Sequence, residues 1–179
     1  MQTVGLCLQQ CCRSTLQFNG RDKTFLKLAS HTGKTLLSQK LMERYHIPYF
    51  SIDHLKMGLI RSGQTDLTPM DDDLLTAYLW PIVREMVKTA IENDQSMIVE
   101  GCYIPFEWAK DFPPDYLRHI RYRCLIMSEA YIRANFQRIR DFANAIEHRL
   151  DDSDLSADEL IRDNNQNLQL CKEHGCEYL

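Results

Sequence analysis

From Lys23 onward, short apolar runs alternate with stretches of helical period, the pattern of an α/β fold with a largely parallel sheet. The runs at 24–28, 48–52, 96–100, 121–127 and 176–179 read as strands. Between the first two, Leu37, Leu41 and Met42 mark the buried stripe of a helix over 34–45. A longer helix is predicted to start near Thr68-Pro69-Met70-Asp71, where Thr68 can cap, Pro69 suits the first turn and Asp71 completes a capping box. Its stripe is Leu75, Tyr78, Leu79, Ile82, Val83, Met86 and Ala90. Pro81 inside that stripe predicts a kink or a split into two helices, because it lacks an N–H and crowds the preceding turn. Ser128 is placed to cap a helix carrying Ile132, Phe136, Ile139, Ala143 and Ile146. Ser156 and Glu159 form a capping-box pattern for a last helix through Leu160, Leu168 and Cys171, which Gly175 ends.

Residues 1–22 show neither alternation nor a helical stripe and read as a loosely attached arm; residues 23–179 read as one domain. A chain of 179 residues with 44% hydrophobic content is long enough for one well-buried core and short for two. The sequence stops at the last residue of the fifth strand candidate, which suggests a trimmed chain or a truncated reading frame. A net charge of −4 argues against a general nucleic-acid or membrane-surface binder, so any anion site must be local. No run approaches the ~20 apolar residues of a membrane helix, and no basic region leads into an apolar one at the N-terminus, so the cytoplasm is the expected compartment. The seven cysteines, at 7, 11, 12, 102, 124, 171 and 176, lack paired C-x-x-C spacing and read as reduced thiols. Cys124 and Cys171 fit small buried apolar positions, and Cys7, Cys11 and Cys12 are not expected to hold a metal.

The stretch Ala29-Ser30-His31-Thr32-Gly33-Lys34-Thr35 lies between the first strand and the first helix. A glycine-containing loop at a helix N-terminus suits phosphate. Its backbone N–H groups point at the anion, the Lys34 ammonium can meet the β and γ phosphates, and the Thr35 hydroxyl can meet Mg²⁺. Ser30, His31, Thr32, Gly33, Lys34 and Thr35 are therefore the candidate nucleotide-binding residues. The full G-x-x-x-x-G-K-[ST] pattern has a glycine where this chain has Leu28, so the match is partial.

Acids stand where the strands end. Asp53 falls at the C-terminal edge of the second strand, where open α/β sheets bind ligands. It can orient an acceptor hydroxyl and take its proton, hold a water on Mg²⁺, or cap the segment after it. Lys56 and Arg61 can bind an anionic acceptor or serve as ordinary exposed cations. Glu100, in Met97-Ile98-Val99-Glu100-Gly101, can hold a Mg²⁺-bound water or a substrate hydroxyl, or be satisfied by local backbone. Arg133, Arg138, Arg140 and Arg149 decorate one later segment. Arg133 and Arg140, seven apart, lie near one helical face, and the residues alone read as a solvated face paired with Asp141, Glu147, Asp151 and Asp152.

The order of strand, Gly-Lys-Thr loop, helix, acid-ended strand, long helix, acid-ended strand, strand and Arg-rich helix resembles the P-loop small-molecule kinases. The similarity is to the branch holding 2-phosphoglycerate, gluconate, shikimate and adenylate kinases. It implies a P-loop NTPase-like, three-layer α/β/α fold whose five-stranded, mostly parallel sheet is flanked by helices. It further implies ATP and Mg²⁺ as cofactors, a small-molecule acceptor above the sheet, and an arginine-rich lid around 133–155. By the same resemblance Lys34, Asp53, Arg133 and Arg140 are catalytic, Asp53, Lys56, Arg61 and Glu100 bind the acceptor, and Thr35 and Glu100 bind the metal. The implied reaction is direct in-line phosphoryl transfer to a metabolite. The alternative is a non-catalytic or regulatory nucleotide-binding protein that keeps the kinase fold; Leu28, the N-terminal arm and the abrupt end speak for it. No Asn-Lys-x-Asp motif supports a GTP switch.

Overall fold

The computed structural model describes residues 23–28, 34–143 and 155–179. Successive side chains of a strand point to opposite faces of its sheet, and here helix-bearing apolar clusters lie on both faces. Strands β1 (Lys23–Leu28), β2 (Tyr49–Ser51), β3 (Met97–Gly101) and β4 (Ile120–Leu125) form one sheet in the order β2-β3-β1-β4. Every ladder is parallel, with Ser51 opposite Glu100, Leu26 opposite both Glu100 and Arg123, and Leu28 opposite Leu125. The run at 176–179 adds a single parallel bridge, Cys124 to Tyr178, on the outer side of β4. There the Cys124 and Ile126 amides donate to the carbonyls of Glu177 and Leu179 at 2.9 and 2.8 Å.

The strands' alternation assigns the helices to layers. Ile98 and Leu125 face the cluster built on Leu37 and Leu41 of α1 (Lys34–Tyr45). Val99 and Cys124 face the larger cluster, which holds Ile52 of α2 (Ile52–Arg61) and Leu75, Leu79, Trp80, Val83 and Val87 of α3 (Asp72–Glu92). After β3 come a 3₁₀ turn at Trp108–Asp111 and the short α4 (Pro114–Leu117). Two further helices, α5 (Glu129–Ala143) and α6 (Ala157–His174), pack on each other through Ile132, Ile139, Leu160 and Ile161. Cys124 and Cys171 are both buried in the larger cluster. No helix among the described residues is long and apolar enough to cross a membrane.

Three boundaries differ from expectation. Helix α3 starts at Asp72 rather than at 68, because Asp71 Oδ2 accepts the Thr68 amide and hydroxyl at 2.7 Å each and closes a separate turn first. Nor does Pro81 divide α3, which runs unbroken over 21 residues. Pro81 and Ala77, whose carbonyl loses its amide partner to the proline, both lie exposed, so water can serve that carbonyl while the buried stripe holds the helix together. Asp53 lies within α2, because β2 ends at Ser51. The caps agree better: the Tyr131 amide donates to Ser128 Oγ, and Ser156 with Glu159 forms the full capping box. Gly175 adopts φ 64°, a left-handed geometry that glycine takes without a Cβ penalty.

Candidate active site

Helix α1 starts at Lys34, separated from the end of β1 by the five positions 29–33, and its first turn brings Thr35 to the C-terminal edge of the sheet. Thr35 is 7% exposed and Glu100 fully buried; Thr35 Oγ1 donates to Glu100 Oε1 at 3.3 Å. A buried carboxylate is costly unless its oxygens find donors or a cation, so its placement beside a hydroxyl at the first turn of a helix is a chemical signal. Ser38 Oγ and Ser51 Oγ, also buried, have no hydrogen-bond partner among the described residues.

The next strand supplies the neighbouring acid. Ser51, opposite Glu100 in the ladder, is the N-cap of α2, so Asp53 follows in its first turn. Gly101 permits this approach: a Cβ there would stand 2.9 Å from Ile52 Cβ, closer than carbon atoms tolerate. Asp53 and Lys56 pair at 3.0 Å with side chains 21% and 13% exposed. Lys56 Nζ also donates to the Tyr103 hydroxyl at 2.9 Å, and that hydroxyl donates to Asp72 Oδ1 at 2.9 Å. Burial, foremost, with the nearby Cys102 and the Asp72 hydrogen bond, holds the Tyr103 phenol above its ordinary pKa, in its neutral form.

Thr35, Asp53, Lys56 and Glu100 thus lie at one edge of the sheet, with Lys34 at the start of the helix beside them. Ser30, His31, Thr32, Gly33 and Arg149 lie outside the described residues. Arg61 stands at the far end of α2, about 12 Å along its axis from Asp53, and is exposed. Arg133 forms ion pairs with Glu129 at 2.9 Å and Asp158 at 3.2 Å, joining the exposed surfaces of α5 and α6. The Glu129 hydrogen bond, more than any other influence, raises its pKa further. Arg140 is exposed two turns later on α5.

Tyr103 and Asp72 join this cluster through Lys56, and sequence reading missed both. Asp72 was hidden in the run Asp71-Asp72-Asp73, which reads as helix-start chemistry. The available signal for Tyr103 was its place three residues after Glu100, on the loop leaving the ligand edge.

Among solved structures the chain is similar to small-molecule kinases. A gluconokinase from Sinorhizobium meliloti 1021 aligns at 11% identity and TM-score 0.43, over 87% of this chain and 97% of that one. A shikimate kinase from Bacteroides thetaiotaomicron aligns at 16% identity and TM-score 0.47, over 88% and 83%. Another, from Aquifex aeolicus vf5, gives 12% and 0.38, over 82% and 96%. No protein-family model and no curated protein matches the sequence.

Proposed function

We propose that residues 23–179 form a P-loop kinase domain that transfers the γ-phosphoryl group of ATP to a small metabolite in the cytoplasm. The observation that carries this reading is the buried Thr35–Glu100 contact beside the first turn of the helix that follows β1. A hydroxyl and a carboxylate side by side are hard oxygen donors, which suits Mg²⁺. When bound, that ion would neutralise charge on the β and γ phosphates. Thr35 and Glu100 would hold it, with loop amides from 29–33 and the Lys34 ammonium on the phosphates.

In the proposed reaction Asp53 orients the acceptor hydroxyl and takes its proton. The hydroxyl oxygen forms the new bond to the γ phosphorus as the bond to the bridging oxygen breaks and ADP leaves. The Lys56 ammonium, 3.0 Å from Asp53 Oδ1, holds that carboxylate in place in this reading. Arg133 and Arg140 serve as clamps in this reading only if the segment around 133–155 folds over the site, since Arg133 is committed to Glu129 and Asp158 here.

A second reading, nucleotide binding without turnover, is favoured by Leu28. This residue is the last in the β1 ladder, opposite Leu125, where the full phosphate-loop pattern has glycine. A metabolite panel with ATP and Mg²⁺, scored for ADP release above a no-acceptor control, tests the kinase reading. Acceptor-dependent ADP release that disappears in Lys34→Ala is the expected result. Nucleotide binding without release for any acceptor would favour the second reading, and no binding would overturn both.

A further inference from the structure

Helix α6 ends in a turn that brings two thiols together. Gly175, at φ 64°, reverses the chain so that the Cys176 amide donates to the Cys171 carbonyl at 2.8 Å. Covalent geometry then holds the two Cα atoms within about 6.7 Å of each other, inside the span that a disulfide bridges. Their side chains share one apolar cluster, Cys171 within it and Cys176 packed against it. Burial, foremost, raises the pKa of the Tyr122 phenol, and the Cys124, Cys176 and Cys171 thiols add to that effect, which puts both sulfurs near one buried hydroxyl. Both residues are thiols rather than half-cystines.

The two differ in access. Cys171 is 0% exposed, whereas Cys176 is half-buried and meets solvent. Cys176 also has a task, since its Sγ donates to the Phe106 carbonyl at 3.3 Å. Phe106 lies on the loop after β3, three residues beyond Tyr103, and its ring stacks on His174 with 6.3 Å between centroids. The C-terminal end of α6 thus holds that loop twice, once through a thiol proton.

We propose that Cys176 and Cys171 are a redox-exchangeable pair, in which a small-molecule disulfide of the glutathione type closes a bridge that releases the loop after β3 from Cys176. Cys176, the accessible member, attacks one sulfur of the reagent as the thiolate; the reagent's S–S bond breaks and one thiolate leaves. The Cys171 thiolate then attacks the Cys176 sulfur of the mixed disulfide, forms the Cys171–Cys176 bond and expels the second thiolate. The two cysteines are oxidised, and the reagent is reduced to two thiols that take up the two protons the cysteines gave. A disulfide sulfur has no proton to donate, so the bond to the Phe106 carbonyl is lost. None of this requires phosphoryl transfer.

The test holds the full chain, folded, in glutathione buffers of increasing oxidised fraction, then quenches it in acid, alkylates it and cuts it with trypsin. Cleavage after Lys172 separates the two cysteines, so the bridge reads in the mass spectrum as peptide 163–172 joined to peptide 173–179. That product is expected from the parent chain, whereas Cys171→Ala should stop with glutathione attached to Cys176. Hydrogen exchange over 102–106 should quicken about fivefold in the oxidised parent and equally in reduced Cys176→Ala, for the loss of one hydrogen bond. Cys176→Ser, which keeps a donor, should exchange as the reduced parent does. The mapping uses the unaltered sequence, so a variant that folds poorly leaves the pairing test standing. No bridge, or a bridge from either residue to Cys102 or Cys124, would overturn the proposal, as would exchange over 102–106 that is the same with the bridge open and closed.

Discussion

The two halves of the candidate site are built on opposite principles. On the side proposed to face the phosphoryl donor, Thr35 and Glu100 are sealed between helix and sheet. On the acceptor side, Asp53, Lys56 and Asp72 keep contact with solvent and are organised by one buried phenol. Sealed groups depend on backbone placement, since a buried oxygen cannot turn to water when its partner shifts. Wet groups tolerate loss better and tune selectivity more than stability. Donor-side changes should therefore be severe and acceptor-side changes selective.

The largest expected effect is on nucleotide affinity. Lys34→Ala should abolish ATP binding measured by calorimetry with Mg²⁺; unchanged affinity would mean that any nucleotide sits elsewhere. Next comes Gly101→Ala, which forces a Cβ to within 2.9 Å of Ile52 Cβ. We expect a loss of about 1–3 kcal/mol in urea unfolding, typical of overpacking, together with weaker acceptor use because α2 must shift. Leu28→Gly should tighten ATP binding by roughly tenfold to a hundredfold if close backbone approach is what the side chain resists. In the same titration, indifference to this change alongside sensitivity to Lys34→Ala would show that the loop is already competent.

The smallest effect belongs to the turn before α3. The Thr68 amide and hydroxyl hold the Asp71 carboxyl below its ordinary pKa. A carboxyl lowered in the folded state stabilises above its unfolded value, and that contribution fades as pH falls through the folded value. Between about pH 5 and pH 2 the parent should lose slightly more unfolding free energy than Asp71→Asn, measured by urea titration at each pH.

Apolar periodicity revealed the layers, because Ile98 and Val99 must face opposite sides of a sheet whatever their partners are. The reading of strand ends put Lys34, Asp53 and Glu100 at one edge of a parallel sheet, and there the helix that starts at Lys34 and the one that holds Asp53 begin beside the end of β3. The Tyr103–Asp72 link escaped because it joins two elements 31 positions apart through a single hydroxyl, and no spacing rule marks such a pair. The start of α3 was misread for a local reason: Thr68 and Asp71 do interact as a capping pair would, yet they close a turn that the helix follows rather than contains.

The position of β1 has a consequence for how the chain reaches this state. It is the first strand among the described residues and lies inside the sheet, where Lys23 pairs with both Met97 and Ile120. During synthesis it must wait unpaired until those distant strands emerge, so the closure of long loops precedes the reward of pairing. Helix α1 and the first turns of α2 can form early, but the edge on which Thr35 meets Glu100 exists only after β3 has docked. A ribosome-bound chain arrested before β3 should therefore leave Thr35 accessible to solvent, with protection appearing in one step once β3 and β4 have both been made.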